Sequence, residues 1–173
     1  MKKTLIVVDM QNDFITGPLG TPEAMAILPK VKEKIEEYRR HKDTIIFTKD
    51  THSVNYLETN EGKHLPVTHC IARTHGWDIV DGLVERGDEI QNKFTFGYNH
   101  WEFYEDVLTN DVEIIGVCTD VCVVSNALIL KTLYPEINFT VDASCCAGTT
   151  PENHRASLQV MRSCQIDVVG DIA

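Results

Sequence analysis

The chain has 173 residues, with 16 Lys and Arg against 26 Asp and Glu, for a formal net charge of −10. That length fits a single domain over 1–173, and 43% hydrophobic with 24% charged residues is globular rather than disordered composition. A pI near 5.1 argues against nucleic-acid binding, which needs a basic face, and no apolar run approaches the ~20 residues that span a bilayer.

Thr4–Val8 is a β-branched apolar run that stops at Asp9 without a small-residue cleavage site, so it reads as the first strand of a cytoplasmic protein. Pro29–His41 places Val31, Ile35 and Tyr38 on one helical face, with Pro29 suited to the first turn. A second strand, Thr44–Thr48, leads into Asp50–Thr74, a long irregular stretch of the kind that is usually functional inside a compact domain. Short helices over Trp77–Leu83 and Trp101–Leu108 flank a strand at Glu89–Gln91. Strands at Glu113–Val117, Asn138–Val141 and Asp167–Val169 then alternate with helices over Asp120–Leu133 and Pro151–Ser163. Near-continuous apolar strands alternating with helices predict a three-layer α/β/α fold with a six-stranded, mostly parallel sheet. There is no repeat, low-complexity tract or linker.

Ligands of such sheets bind beyond the carboxyl ends of the strands, which singles out Asp9, Asp50, His52, Lys93, Cys118 to Cys122, and Asp142. There is no G-x-G-x-x-G and no phosphate loop, so a nucleotide site is unsupported. Cys122 lies where a strand enters a helix. Free N–H groups and the positive dipole end there favour a thiolate and could hold an oxyanion, although a small residue packing helix onto sheet fits equally well. Asp9, at the end of a buried strand, has the desolvation that suits a carboxylate to take a thiol proton, or it caps its own loop. Lys93, flanked by aromatic residues, is either a cation for that site or a surface lysine. Asp50 and His52, with His69 further on, suggest a metal of the Zn²⁺, Fe²⁺ or Mn²⁺ type, and solvated loop histidines would leave the same pattern. His41, His64, His75 and His154 read as surface or capping residues. Of the six cysteines, Cys145 and Cys146 read as buried or loop thiols, and the absence of an export signal argues for a reduced protein.

Taken together, these residues resemble the isochorismatase-like cysteine hydrolases, and among them the nicotinamidase/pyrazinamidase group, from Leu5 to Val169. The resemblance is carried by Asp9-x-Gln11-Asn12-Asp13-Phe14, by Lys93 in Asn92-Lys93-Phe94-Thr95-Phe96, and by Gly116-x-x-Thr119-Asp120-x-Cys122-Val123. Asp50-x-His52 with His69 adds the metal pattern of nicotinamidases. The resemblance implies a catalytic triad of Asp9, Lys93 and Cys122. It also implies a cis peptide between Val117 and Cys118, with the Cys118 and Cys122 N–H groups forming an oxyanion hole. Phe14 matches a position that walls the substrate pocket, and Leu65 stands where the family often has a tryptophan. One divalent metal is implied, zinc first with iron or manganese as alternatives, held by Asp50, His52 and His69. For its acidic fourth ligand, Glu61 fits best and Glu58 is the alternative. The implied reaction deaminates nicotinamide or a similar carboxamide through a Cys122 thioester, in a homodimer or homotetramer. The alternatives are another small substrate of the family (an N-carbamoyl or ureido amide, or isochorismate) and a non-catalytic metal-binding or thiol-redox module. Cys118 places a second thiol near the nucleophile, and a Cys118–Cys122 disulfide would inactivate the enzyme.

Overall fold

The computed structural model describes residues 2–108 and 111–171. Six strands, β1 (Thr4–Val8), β2 (Thr44–Asp50), β3 (Glu89–Lys93), β4 (Asp111–Val117), β5 (Asn138–Ala147) and β6 (Asp167–Val169), form one sheet in the order β3-β2-β1-β4-β5-β6. Every pairing is parallel. Strand β1 is central, and its alternation splits the core. Ile6 and Val8 pack with Ile114, Val141 and Trp101, while Leu5 and Val7 pack with Ile45, Phe47 and Ile115 on the other face. The first face is covered by α4 (Val124–Leu133) through Ala127 and Leu130 and by α5 (Pro151–Ser163) through Leu158 and Met161. The second is covered by α2 (Pro22–Arg40) through Ile27, Val31 and Ile35. Two short helices, α1 (Asn12–Ile15) and α3 (Asn60–His64), lie in the loops after β1 and β2.

Four predicted elements differ. Helix α2 starts at Pro22, not Pro29, because the Thr21 hydroxyl accepts a hydrogen bond from the Ala24 N–H (3.0 Å) and Pro22 fills the first position. Pro29 lies inside the helix on its exposed face, while the buried stripe from Ile27 to Ile35 continues past it. Trp77–Leu83 is not helical, a 3₁₀ turn at His75–Trp77 ending where it was to begin, and Trp101–Leu108 holds only the 3₁₀ turn Trp101–Tyr104, because neither has a capped start. The irregular stretch after Asp50 is ordered by a turn at Tyr56–Glu58, by α3, and by a bridge between His52 and Ile71. Strand β5 runs six residues past its predicted end, so Cys145 and Cys146 are buried strand residues belonging to opposite cores. Among the described residues no helix is long and apolar enough to cross a membrane.

The order of the sheet reverses between β1 and β4, the switch point where open α/β sheets bind ligands. Gly116 makes the close approach there. Its φ is +119°, and a Cβ would lie 2.1 Å from the Val8 carbonyl oxygen. Gly116→Ala is therefore expected to cost about 3 kcal/mol or more, read as a fall in urea midpoint at unchanged slope.

On the α2 face, Lys34 bridges Glu113 (2.7 Å) and Asp142 (3.0 Å), tying the helix to β4 and β5. Burial opposes ionisation of Asp142, but the hydrogen bonds from Ser144 and Lys34 outweigh it and hold the carboxyl below its usual value. A depressed folded-state value gives stability that is complete above the unfolded value near 3.8 and is lost as pH falls through the folded value. Asp142→Asn should therefore lower stability near pH 7 by about 1 kcal/mol after solvent screening, and by progressively less as pH falls below 3.8, in denaturant titrations across that range.

Candidate active site

Three strand ends meet at the switch point. Asp9 follows β1 with φ +50° and is fully buried, its Oδ1 accepting a hydrogen bond from the Thr48 hydroxyl (2.6 Å). Its Oδ2 lies 2.7 Å from Lys93 Nζ and receives no aligned hydrogen bond, so it forms an ion pair with lone-pair capacity to spare. Lys93 ends β3 and reaches across the end of β2. Its Nζ is 3.1 Å from Asp50 Oδ1, 3.2 Å from the Thr95 carbonyl and 3.4 Å from Cys122 Sγ. Cys122 rides on a π-helical turn, Thr119–Val123, that follows β4. The peptide joining Val117 to Cys118 is cis, as the resemblance implied. The Cys118 carbonyl accepts from the N–H groups of both Val121 (3.1 Å) and Val123 (3.0 Å) and anchors the turn.

Electrostatics reverse one expectation. A cysteine at a helix start was expected to favour its thiolate, but burial pushes the Cys122 thiol well above its ordinary value and outweighs the pull of Lys93, with Asp9 and Asp50 adding to the rise. Burial also raises Asp9, against the pull of Lys93. Burial disfavours the Lys93 ammonium, yet Asp9, Cys122 and Asp50 around it hold its value well above that of a free lysine. The resting arrangement is thus a neutral thiol beside an ammonium, with a carboxyl of raised proton affinity on the same ammonium.

A second cluster adjoins the first. Asp50, His52, Glu61 and His69 bring ligand atoms within 4.8 Å of one another. Asp50 Oδ2 lies 2.9 Å from His52 Nε2 and 3.5 Å from His69 Nε2, and Glu61 Oε1 lies 3.5 Å from His52 Nε2. The His69 Nδ1–H donates to the Val67 carbonyl (2.7 Å), which leaves Nε2 as the ligand atom. Burial opposes ionisation of Asp50, but its bonds to His52 and His69 and the charge of Lys93 hold its carboxyl far below the usual range. Two imidazoles and two carboxylates fit a divalent ion of the zinc class. Glu58 is exposed and lies outside the cluster.

Beside both clusters lies a cavity of about 320 Å³ whose walls include Phe14, Leu65, Cys118 and Cys122, together with Asp50, Glu61 and His69. Sequence reasoning named those residues and gave no role to six other wall residues, Leu19, Gly20, Thr21, Phe96, Val121 and Thr149. It also missed two positioning groups. Gln11 clamps the Asp50 backbone, accepting from its N–H (2.7 Å) and donating to its carbonyl (2.9 Å). Tyr56 packs its ring 4.6 Å from His52 and 4.9 Å from His69. Gln11, like Phe96, lies in a quoted motif, whereas nothing local marks Tyr56. Asp142 does not join the site, being engaged by Lys34 and Ser144. His154, read as a surface or capping residue, instead meets Thr119 at 2.8 Å.

The isochorismatase domain family matches residues 3–171 of the chain. The nicotinamidase of Schizosaccharomyces pombe is 25% identical over 96% of this chain and 92% of its own length. A probable inactive nicotinamidase of Arabidopsis thaliana is 28% identical over 92% of this chain and 87% of its own length. Among solved structures, the pyrazinamidase of Pyrococcus horikoshii in complex with zinc superposes with a TM-score of 0.87 at 27% identity, covering 99% of this chain and all of that one. The chain belongs to the isochorismatase family and is a hydrolase similar to the nicotinamidases.

Proposed function

We propose that the protein deaminates nicotinamide, or a similar heteroaromatic carboxamide, with Asp9, Lys93 and Cys122 as its catalytic groups. The observation that carries this reading is the contact of Lys93 Nζ with both Asp9 Oδ2 and Cys122 Sγ, 2.7 and 3.4 Å away, beside a cavity with mostly apolar walls. A neutral thiol needs a base at the moment of attack, and burial raises the proton affinity of Asp9 in the direction that role needs. Asp9 takes the Cys122 proton as the sulfur bonds to the carboxamide carbon, and the Cys118 and Cys122 N–H groups hold the oxyanion. The same proton goes from Asp9 to the departing nitrogen, and ammonia leaves a thioester on Cys122. Water then gives a proton to Asp9 and attacks the thioester, releasing the acid and restoring the thiol. Lys93 remains charged throughout, offsetting the negative charge as it moves between Asp9 and sulfur. Phe14, Leu65 and Phe96 offer apolar walls for a flat ring.

Asp50, His52, Glu61 and His69 would hold one divalent ion, zinc by its donor set and by likeness to the zinc-bound pyrazinamidase. Bound there, the ion supplies a Lewis-acid anchor for a ring nitrogen. A panel of nicotinamide, pyrazinamide, benzamide and an N-carbamoyl amino acid, read by ammonia release, tests the reading. The two ring-nitrogen amides should turn over fastest. Preference for the carbamoyl compound, or no release from any amide with Zn²⁺, Fe²⁺ or Mn²⁺ supplied, would overturn it.

A further inference from the structure

We propose that His154 is a positioning residue for the nucleophile, holding through Thr119 the turn that carries Cys118 and Cys122. The proposal rests on the amidase reading only for its kinetic readout. Thr119 is fully buried, and the His154 Nδ1 at 2.8 Å is the hydrogen-bond partner of its hydroxyl among the described residues. Thr119 also closes the wide turn, its carbonyl accepting the Val124 N–H across Cys122. Its position is therefore coupled to both backbone N–H groups assigned to the oxyanion.

The next residue is held by the same piece of chain. The Asp120 carboxylate accepts from the Thr149 N–H (2.8 Å) and the Thr149 hydroxyl, and Thr149 itself lines the substrate cavity. Between these two clasps sits Gly148, where an added Cβ would lie 2.9 Å from both Asp120 Oδ1 and His154 Cβ. The entry to α5 is thus pressed against the nucleophile turn and bonded to two successive residues of it. His154 is anchored in turn, its backbone N–H donating to the Thr150 carbonyl at 2.9 Å. Burial keeps the His154 imidazole below its usual value, with Asp171 and Asp120 pulling the other way and Arg155 adding to the fall. Neutral imidazole is therefore the form that meets Thr119 near pH 7. His154 does not line the cavity and touches no reacting atom, so its influence runs through the turn alone.

The test compares His154→Leu, His154→Asn, Thr119→Val and the Leu/Val double variant. Asparagine keeps a polar atom two bonds from Cβ, where Nδ1 stands, and leucine does not. His154→Leu and Thr119→Val should each lower kcat roughly 10- to 100-fold with KM changed less than about 2-fold, as for a misplacement near 1 Å. His154→Asn should recover most of the loss, and the double variant should be no worse than the poorer single. Amide hydrogen exchange in residues 117–124 should quicken at least about tenfold in His154→Leu, with the urea midpoint still reporting a folded protein. An unchanged kcat, a rise in KM alone, equal losses in the Leu and Asn variants, or additive losses would each overturn the proposal. If His154→Leu does not fold, Thr119→Val carries the same comparison, since it removes the hydroxyl and keeps the shape. If the wild type releases no ammonia, the amidase reading fails separately. The exchange rates then decide this proposal alone, and equal rates in wild type and variant overturn it.

Discussion

Cys122→Ala is expected to lower amide hydrolysis at least about 10⁴-fold, the scale on which a missing nucleophile is felt in enzymes whose catalytic groups act as a unit. The sulfur is buried, 3.4 Å from the Lys93 ammonium, and among the described residues no other nucleophile stands on that ammonium. Cys118 lines the same cavity, but its thiol is pushed up to about 12, chiefly by burial, and it lies on the extended segment before the turn. It should not substitute. Asp9→Asn keeps the shape of the base and removes its proton affinity, so it should approach the same floor. Adding it to Cys122→Ala should cost almost nothing more, because a base has no work without the thiol. Ammonia release in initial-rate assays reads all three variants. Residual activity above about 1% of wild type in purified Cys122→Ala would mean that another group performs the attack.

Loss of the metal ligands should give the second largest effect. Purified wild type should carry close to one equivalent of a divalent metal, and His52→Ala and His69→Ala should each weaken its binding by at least about 100-fold, read by atomic spectroscopy after dialysis. A ligand that binds only the folded state stabilises it by about 2.7 kcal/mol at a hundred times its Kd. Chelation should therefore lower Tm by several degrees, and re-addition of Zn²⁺ should restore it. Asp50→Ala should do more damage than either histidine variant. Its Oδ2 faces the two imidazoles while its Oδ1 takes a hydrogen bond from Lys93 at 3.1 Å, so its loss empties one cluster and loosens the other. Equal activity loss in Asp50→Ala and His52→Ala, at equal metal content, would show that the bond to Lys93 contributes nothing. Unchanged metal content in all three variants would remove the cluster as the binding site.

Much of the sheet was legible because strand periodicity and apolar runs are local properties. All six strands lie where β-branched segments placed them, and their carboxyl ends mark Asp9, Asp50 and Lys93 as residues to watch. Legibility failed where a local signal had a stronger competitor nearby. Pro29 reads as a helix start until Pro22, seven residues earlier, is seen to open a longer helix capped by Thr21. The end of β5 was missed because Ala143 to Ala147 is made of small residues with no β-branched side chain, yet it pairs with β4 beyond the shift in register. Leu19 carries no mark in the sequence, and the motifs around Phe96 and Val121 say nothing of a wall, since a cavity wall is made by what faces it.

Sequence alone determined the kind of fold, the acidic character of its composition, and a short list of chemistry-bearing residues, because alternation, charge and motif spacing are written along the chain. Tertiary structure decided how those residues act. It placed one carboxylate, Asp50, in two clusters, set Glu61 and not Glu58 beside the two histidines, and bonded His154 to the turn that carries Cys122. It also set burial, which pushes the Cys122 thiol up, against the helix start, which favours its thiolate. The reason is desolvation: the helix end acts on the sulfur from its neighbours in sequence, but how much water is excluded depends on strands and loops remote from it along the chain.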